Sequence, residues 1–304
     1  MRHILFLFLD GVGLGDDDPN TNPFARANLK TLHSLLDGKK LLRDTPDHDN
    51  GRAQFIPTDA SMGVSGPPQS ASGQATILTG LNVPQLIGGH WGPKPNQAVT
   101  EILKRENVFK SLVAKGKSAA LINAYPQRYF EAITRGKRMY SAIPMAVAAA
   151  NIPLMTADDL RTGRAFSADF NGEGWRTELK YEDTPVYSLH EAGSRLAEVS
   201  RQRHLTFFEH WVTDVVGHRG TIDDGVRVLE RFDSVLEGVL ENWGDEEGLI
   251  VITSDHGNIE NFNHTHHTQN KVPTFVIGSH RAEFSDGIRD LSGFTPAILR
   301  FLNG

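Results

Sequence analysis

Two neighbouring stretches near the carboxyl end of the chain offer ligands for a divalent cation. Asp255 and His256 lie just beyond the apolar run 248–253, after Ser254, and His267 follows in the next part of the chain. A short apolar run rich in β-branched residues is typical of a buried strand, and ligands gather at the carboxyl ends of parallel strands. A carboxylate beside imidazoles suits a borderline divalent cation. The alternative is a plain turn, because Asp-His-Gly-Asn is rich in turn-forming residues.

Two further aspartates fall at similar positions. The apolar run 4–9 ends at Asp10, which predicts a central buried strand with this carboxylate at its tip. A second predicted strand, 205–211, leads to Asp214 and His218. If the chain is helical there, these two side chains share one face and suit a metal. The same spacing also fits an exposed ion pair.

Ser70 is the candidate nucleophile. Two prolines precede it and a helix-compatible run follows. Its hydroxyl is therefore expected at or near a helix amino terminus, where free N–H groups and the helix dipole favour an anion. An ordinary serine N-cap would give the same pattern. Serine is a poor nucleophile at neutral pH and no candidate base lies beside it in sequence, so it would need a cation to become reactive.

The composition indicates an ordinary globular chain. Its 304 residues, 39% hydrophobic and 22% charged, suffice for one large domain with an insertion or for two small domains. The net charge of −6 argues against a broad nucleic-acid surface. Because cysteine is absent, any metal must be held by nitrogen and oxygen. The apolar amino-terminal run is too short for a signal peptide or a membrane span, so we expect a cytoplasmic protein with no membrane partner.

Alternating strand and helix patterns predict an α/β fold, a doubly wound and mostly parallel sheet with helices on both faces. The pattern covers 1–123 and 186–304, which we predict to form one core domain. Between them, 124–185 is irregular, aromatic and basic, and we predict a small inserted cap. Three basic residues of this cap are candidates for substrate binding, although exposed arginines are commonly only solvated. They are Arg128, Arg135 and Lys137.

These motifs in combination resemble the alkaline phosphatase superfamily of metalloenzymes, most closely its branch of cofactor-independent phosphoglycerate mutase and phosphopentomutase. Asp10-Gly11 is similar to the opening metal aspartate of that family, and 70–74 resembles Ser-x-x-Gly-His with Gln74 in place of histidine. The other matches are 214–218 to Asp-x-x-Gly-His, 255–260 to Asp-His-Gly-Asn-x-Glu, and 264–273 to His-Thr-x-His-Thr-x-Asn-x-Val-Pro.

The resemblance implies two metal sites, with Ser70 facing both as nucleophile and ligand. One metal would be held by Asp214, His218 and His267, and the other by Asp10, Asp255 and His256. Carboxylates and imidazoles without sulfur suit Mn²⁺ or Zn²⁺, and Mg²⁺ also fits. His264, in the last motif, is a further candidate for substrate binding. Gln74 cannot titrate as a histidine does.

The resemblance also implies a phosphoryl-transfer enzyme acting on a small phosphorylated substrate. We expect a phosphomonoester hydrolase that passes through a phosphoserine at Ser70, because the compact middle region lacks room for the second domain of the mutase. A phosphosugar mutase of the phosphopentomutase or phosphoglycerate mutase type is one alternative. A second alternative is a metal-containing binding protein without catalytic activity, which the replacement of histidine by Gln74 allows. The sequence does not indicate an oligomeric state.

Overall fold

The apolar runs of the sequence become the strands of one mixed sheet. The computed structural model of the protein describes residues 1–303. The strands are β1 (His3–Leu9), β2 (His48–Asp49), β3 (Ala53–Thr58), β4 (Ala119–Leu121), β5 (Leu205–His210), β6 (Gly248–Thr253) and β7 (Val272–Ile277). They lie in the order β2-β3-β7-β6-β1-β5-β4.

The parallel part of the sheet sets the position of the candidate ligands. β1 lies between β5 and β6 and is parallel to both, so that Phe8 is level with Glu209 on one side and with Thr253 on the other. The segments after β1, β5 and β6 therefore leave the sheet at the same edge. β4 is parallel to β5, whereas β7 runs antiparallel to β6 and β3 antiparallel to β7. The predicted fold class is confirmed.

Helices cover both faces of the sheet. Alternate residues of β1 enter different core clusters, with Phe6 and Phe8 on one face and Leu5 and Leu7 on the other, as expected for a strand buried on both sides. No helix within residues 1–303 is both long and apolar enough to cross a bilayer. The first eight helices are α1 (Pro23–Arg26), α2 (Lys30–Ser34), α3 (Ser70–Thr79), α4 (Val83–Ile87), α5 (Gln97–Arg105), α6 (Val108–Ala114), α7 (Gln127–Thr134) and α8 (Ala142–Ala149). The others are α9 (Ala157–Arg161), α10 (Glu173–Thr177), α11 (Leu189–Ser200), α12 (Val212–Arg219), α13 (Ile222–Glu241), α14 (Arg281–Ser285), the 3₁₀ turn Leu291–Gly293 and α15 (Phe294–Asn303).

The apolar run 24–36 does not form one helix, although its spacing suggests one. It divides into α1 and α2. The first amides of α2 are satisfied from a distant helix, since the Asp233 carboxylate accepts from the N–H groups of Thr31 at 2.9 Å and Leu32 at 2.8 Å. A carboxylate at this place stabilises a new helix start. The break is therefore fixed by a long-range contact.

The predicted cap segment 124–185 is packed into the core rather than set apart from it. Ala142, Ile143 and Ala146 of α8 are fully buried in the same cluster as Phe6 and Phe8. Phe170 stacks on Phe208 of β5 with ring centroids 4.7 Å apart. Leu160 and Trp175 belong to a separate, smaller hydrophobic cluster within the same segment. The segment therefore forms one wall above the sheet, held at several points.

A close crossing of α11 and α13 gives a stability prediction. A Cβ at Gly193 would lie 2.0 Å from the carbonyl oxygen of Val235, so Gly193→Ala forces the two helix backbones apart. We expect the free energy of unfolding to fall by about 1–3 kcal/mol or more in a urea titration. Gly244→Ala is the control, because a Cβ there meets nothing within 4 Å. Equal midpoints for the two variants would contradict the close crossing.

Candidate metal centre

The structure brings all seven predicted ligands to one edge of the sheet. Asp10 directly follows β1, and the pair Asp255-His256 begins two residues after the end of the neighbouring strand β6. Helix α12 begins after β5 and carries two more ligands on one face, Asp214 and His218. Ser70 is the first residue of α3, and His267 comes from the loop between β6 and β7.

The deeper ligand cluster consists of Asp10, Asp255 and His256. One ligand atom from each lies within 4.8 Å of the others, and Nε2 of His256 is 3.3 Å from Oδ1 of Asp10. Asp255 and His256 are fully buried. Oδ1 of Asp10 and Oδ1 of Asp255 are buried without a hydrogen-bond partner among residues 1–303. Two buried carboxylates with free oxygens are costly unless a cation neutralises them.

The pKa shifts within this cluster also indicate that it needs a cation. Burial and the charge of Asp10 raise the pKa of Asp255 well above its usual range. For His256, burial disfavours the charged form, but Asp255 and Asp10 outweigh it and raise the pKa to about 10. The side-chain amide of Gln74 donates to Oδ2 of Asp10 and of Asp255, at 3.3 Å each. Gln74 thus orients both carboxylates but adds no charge, so the cluster calls for a cation.

The second cluster is formed by Asp214, His218 and His267, and its imidazoles are arranged for metal binding. Nδ1 of His218 contacts the carbonyl oxygen of Thr265 at 2.8 Å, and Nδ1 of His267 contacts that of Pro68 at 2.9 Å. A carbonyl oxygen only accepts, so each Nδ1 carries the proton and each Nε2 carries a lone pair. The two Nε2 atoms nevertheless lie 3.1 Å apart. Two lone pairs this close are stabilised by a cation between them and Asp214.

The remaining contacts within this cluster agree with that reading. Oδ1 of Asp214 is 3.4 Å from Nε2 of His218 and 3.8 Å from Nε2 of His267. Burial and the neighbouring His256 lower the pKa of His267 to about 4, so it presents the neutral imidazole that binds metals. The rings of His256 and His267 stack with centroids 3.7 Å apart. The two clusters are therefore adjacent, and their residues fit two divalent cations.

Ser70 faces these clusters from the start of α3. Its Oγ lies 3.0 Å from Nε2 of His256, and the residue is 7% exposed. The N-cap is Gln69, whose side chain makes no cap bond, so the ordinary serine N-cap is the wrong reading of this site. The amides of Ser72 and Gly73 already bond to backbone oxygens. Those of Ser70 and Ala71 have no partner within the described chain, which leaves two donors at a helix amino terminus for an anion.

In the Asp-His-Gly-Asn-x-Glu motif, Asn258 and Glu260 lie outside the two ligand clusters. Their side chains hold the candidate ligands in position. The buried carboxylate of Glu260 accepts from the amides of Gly13 at 3.0 Å and Asn258 at 2.7 Å, and also from the hydroxyl of Thr268. This ties the loop that carries His267 to the segment after Asp10. Asn258 donates to Oδ1 of Asp214 at 2.8 Å and so orients that ligand.

A cavity of about 890 Å³ opens above Ser70 and Asp10, bounded by the segment 124–185. Of the candidate substrate residues, Arg128 lines this cavity. Arg135 and Lys137 are exposed and lie outside its lining, with Arg135 facing Glu131 at 3.8 Å. His264 is also exposed and contacts Asn261 at 3.3 Å. The aromatic lining residues are Tyr125, Tyr129, Trp175 and Trp211.

The lining also contains charged residues that were not identified as site residues from the sequence, namely Lys94, Arg138, Asp169, Glu178 and Glu209. Lys94 and Arg138 have no local motif that marks them. Glu209 does have a signal, because it is an acidic residue within the fully buried strand β5. Burial and the charge of Asp10 raise the pKa of Glu209 to about 8. An acid placed at this depth in a cavity is a candidate functional residue.

Comparisons with known proteins agree with this site. A family model described as the Metalloenzyme superfamily matches residues 1–303. A 2,3-bisphosphoglycerate-independent phosphoglycerate mutase from Methylobacillus flagellatus is 30% identical over 131 residues, which are 40% of this chain and 25% of the mutase. The corresponding mutase from Aliivibrio fischeri is 37% identical over 93 residues, 28% of this chain and 18% of that protein. The chain thus spans about a quarter or less of the curated relatives it matches.

Two solved structures share the fold over almost the whole chain. The PH0037 protein from Pyrococcus horikoshii superposes with a TM-score of 0.56 at 14% identity, covering 99% of this chain and 97% of that one. The alkaline phosphatase from the Antarctic bacterium TAB5 gives a TM-score of 0.54 at 12% identity with the same coverage. At such identities the likeness concerns the fold. The family match extends over both ligand clusters, and the chain therefore belongs to the Metalloenzyme superfamily, whose members bind divalent metal ions.

Proposed function

We propose that this protein is a two-metal phosphomonoester hydrolase that forms a phosphoserine at Ser70. The observation that supports this most directly is the position of the Ser70 hydroxyl. It lies at a helix amino terminus, beside two adjacent clusters of metal ligands and on the floor of a cavity. The names of the relatives, phosphoglycerate mutase and alkaline phosphatase, also refer to phosphate esters.

Each of the two ligand clusters would hold one metal ion. Asp214, His218 and His267 would hold one cation, while Asp10, Asp255, His256 and Ser70 would hold the other. The bound cations would supply positive charge that favours the ionised serine hydroxyl and the dianionic phosphate. We propose Mn²⁺ or Zn²⁺, because the donors are carboxylate oxygens and imidazole nitrogens without sulfur, and Mg²⁺ also fits such a set.

The protein groups around Ser70 suit an in-line displacement. Oγ of Ser70 forms a bond to phosphorus as the bond to the ester oxygen breaks, and the departing alcohol takes a proton. The free amides of Ser70 and Ala71 donate to the phosphoryl oxygens. Lys94, Arg128 and Arg138 bring positive charge to the same cavity. Water then displaces Oγ from phosphorus, which releases phosphate and restores the serine.

A phosphosugar mutase is the second candidate, supported by the mutases among the relatives. A mutase would pass the phosphoryl group from Ser70 to another hydroxyl of the same substrate and would have to keep water from the phosphoserine. The compact segment 124–185 favours hydrolysis, because it leaves no room for a further domain over the cavity. In both cases the proposed partner is a small phosphorylated molecule.

The test combines metal analysis with a generic substrate. We expect elemental analysis of the purified protein to give two divalent cations per chain, and an aryl phosphate to release phosphate until a chelator is added. Restoring Mn²⁺ or Zn²⁺ should restore the rate. Phosphate release that persists in the chelator would contradict the proposal. Isomerisation of a sugar phosphate without free phosphate would show the mutase, and bound metal with neither reaction would show a binding protein.

A further inference from the structure

We infer that Glu209 selects the substrate by hydrogen bonding to a hydroxyl group near its phosphorylated end. This inference rests on the proposed function, since it concerns the same cavity. Glu209 is the fifth residue of β5 and only 6% exposed. Its side chain lines the cavity together with Ser70 and Asp10.

The backbone of Glu209 is fully bonded, whereas its carboxyl group is not. Its N–H donates to Oδ1 of Asn123 at 2.8 Å, and its carbonyl oxygen accepts from Nδ2 of Asn123 at 2.7 Å. These two bonds fix the direction in which the side chain leaves the strand. The carboxyl group itself lines the cavity, and among residues 1–303 no hydrogen bond or ion pair reaches it. It is therefore open to a ligand that enters the cavity, and a ligand group is expected to pair with it.

The position of Glu209 shows which part of the ligand it meets. Glu209 is level with Phe8 of the neighbouring strand β1, two residues before Asp10, and the two acidic residues line the same cavity. Asp10 belongs to the deeper metal cluster beside Ser70. Glu209 therefore faces the part of the substrate next to the phosphate, and not the far end of the cavity.

The charges around Glu209 decide the chemistry of that part. A substrate ammonium group would meet Lys94, Arg128 and Arg138 in the same lining, besides the cations that the ligand clusters would hold. A hydroxyl group avoids that repulsion and can pair with the carboxyl group of Glu209 in either protonation state, because it both donates and accepts. The phosphate ester is thus hydroxylated near its phosphate.

Two esters with the same three-carbon chain test this. Propyl phosphate has no hydroxyl, whereas glycerol 3-phosphate has two, one of them on the carbon next to the phosphorylated carbon. Their binding is measured by calorimetry on the Mn²⁺-loaded full chain carrying Ser70→Ala, so that no turnover is needed. We expect glycerol 3-phosphate to bind more tightly. Glu209→Ala should weaken its binding about tenfold or more and change the binding of propyl phosphate less than about twofold.

Two further variants separate recognition from structure. Glu209→Gln keeps an accepting oxygen but no charge, so it should lose less affinity for glycerol 3-phosphate than Glu209→Ala does. Glu237→Gln, on the exposed face of α13, should change neither affinity. The melting temperature of Glu209→Ala should not fall, because the side chain borders the cavity and no hydrogen bond or ion pair of the protein is lost.

The outcome is decided by the ratio of the affinities. Equal changes for both esters, no change, or no ester binding would overturn the role of Glu209. The proposed hydrolase function fails by a different measurement, namely the absence of phosphate release when Ser70 is present.

Discussion

Ser70→Ala should abolish phosphate release while leaving both metals largely in place. The proposed nucleophile is then missing, and we expect the rate to fall by at least about 10³-fold. Asp10, Asp255 and His256 still surround the deeper site, so the loss of one hydroxyl ligand leaves most of its donors. The measurements are kcat on an aryl phosphate and elemental analysis of the same preparation.

The control for this variant lies in the same loop. Ser65 is exposed and five residues before Ser70, so Ser65→Ala should retain the wild-type rate. Mass spectrometry of the wild-type protein, quenched during turnover, should show a phosphoryl group on Ser70 alone. A Ser70→Ala variant that works at the normal rate would remove Ser70 as the nucleophile and would leave metal-activated water as the attacking group.

His267→Ala should remove one of the two metals and most of the activity. In the structure its Nε2 is 3.1 Å from Nε2 of His218, and Pro68 fixes the ring by accepting from Nδ1. Without it, Asp214 and His218 remain as two protein ligands, fewer than the three that such sites usually have. We expect one metal equivalent per chain after gel filtration and a rate loss of at least about 100-fold, since even outer contacts of metal ligands are worth 10- to 100-fold.

The neighbouring His266 provides a matched control. It is exposed and belongs to neither ligand cluster, so His266→Ala should retain two metal equivalents and the wild-type rate. If His267→Ala also retained two equivalents, His267 would not be a ligand. Added Mn²⁺ at high concentration should partly restore the activity of His267→Ala, because the other ligands of that site are still in place.

The sequence was sufficient to predict this cluster of candidate ligands because each sits in a short segment with its own local pattern. β1 is an apolar run that ends directly before Asp10, β6 is one that ends two residues before Asp255, and Asp214 and His218 have helical spacing. Parallel neighbouring strands bring their ends to the same edge, so chain-local features predict a spatial cluster. The family model matches all the segments that carry these patterns.

Other features depend on contacts between residues far apart in sequence, and only the tertiary structure decided them. The break before α2 depends on Asp233, which lies about two hundred residues later. Gln74 appeared to be a defect in a motif, but it bridges the carboxylates of Asp10 and Asp255.

The cavity lining shows most clearly which features local sequence predicts and which depend on tertiary contacts. Arg128 faces the cavity whereas Arg135 and Lys137, close to it in sequence, do not, because the end of α7 turns them toward solvent. The role proposed for Glu209 depends on Asn123, which bonds the backbone of Glu209 and not its carboxyl group. Spacing along the chain fixes which residues can bind a metal. The direction and burial of each remaining side chain are set by packing between distant segments, which a local pattern does not contain.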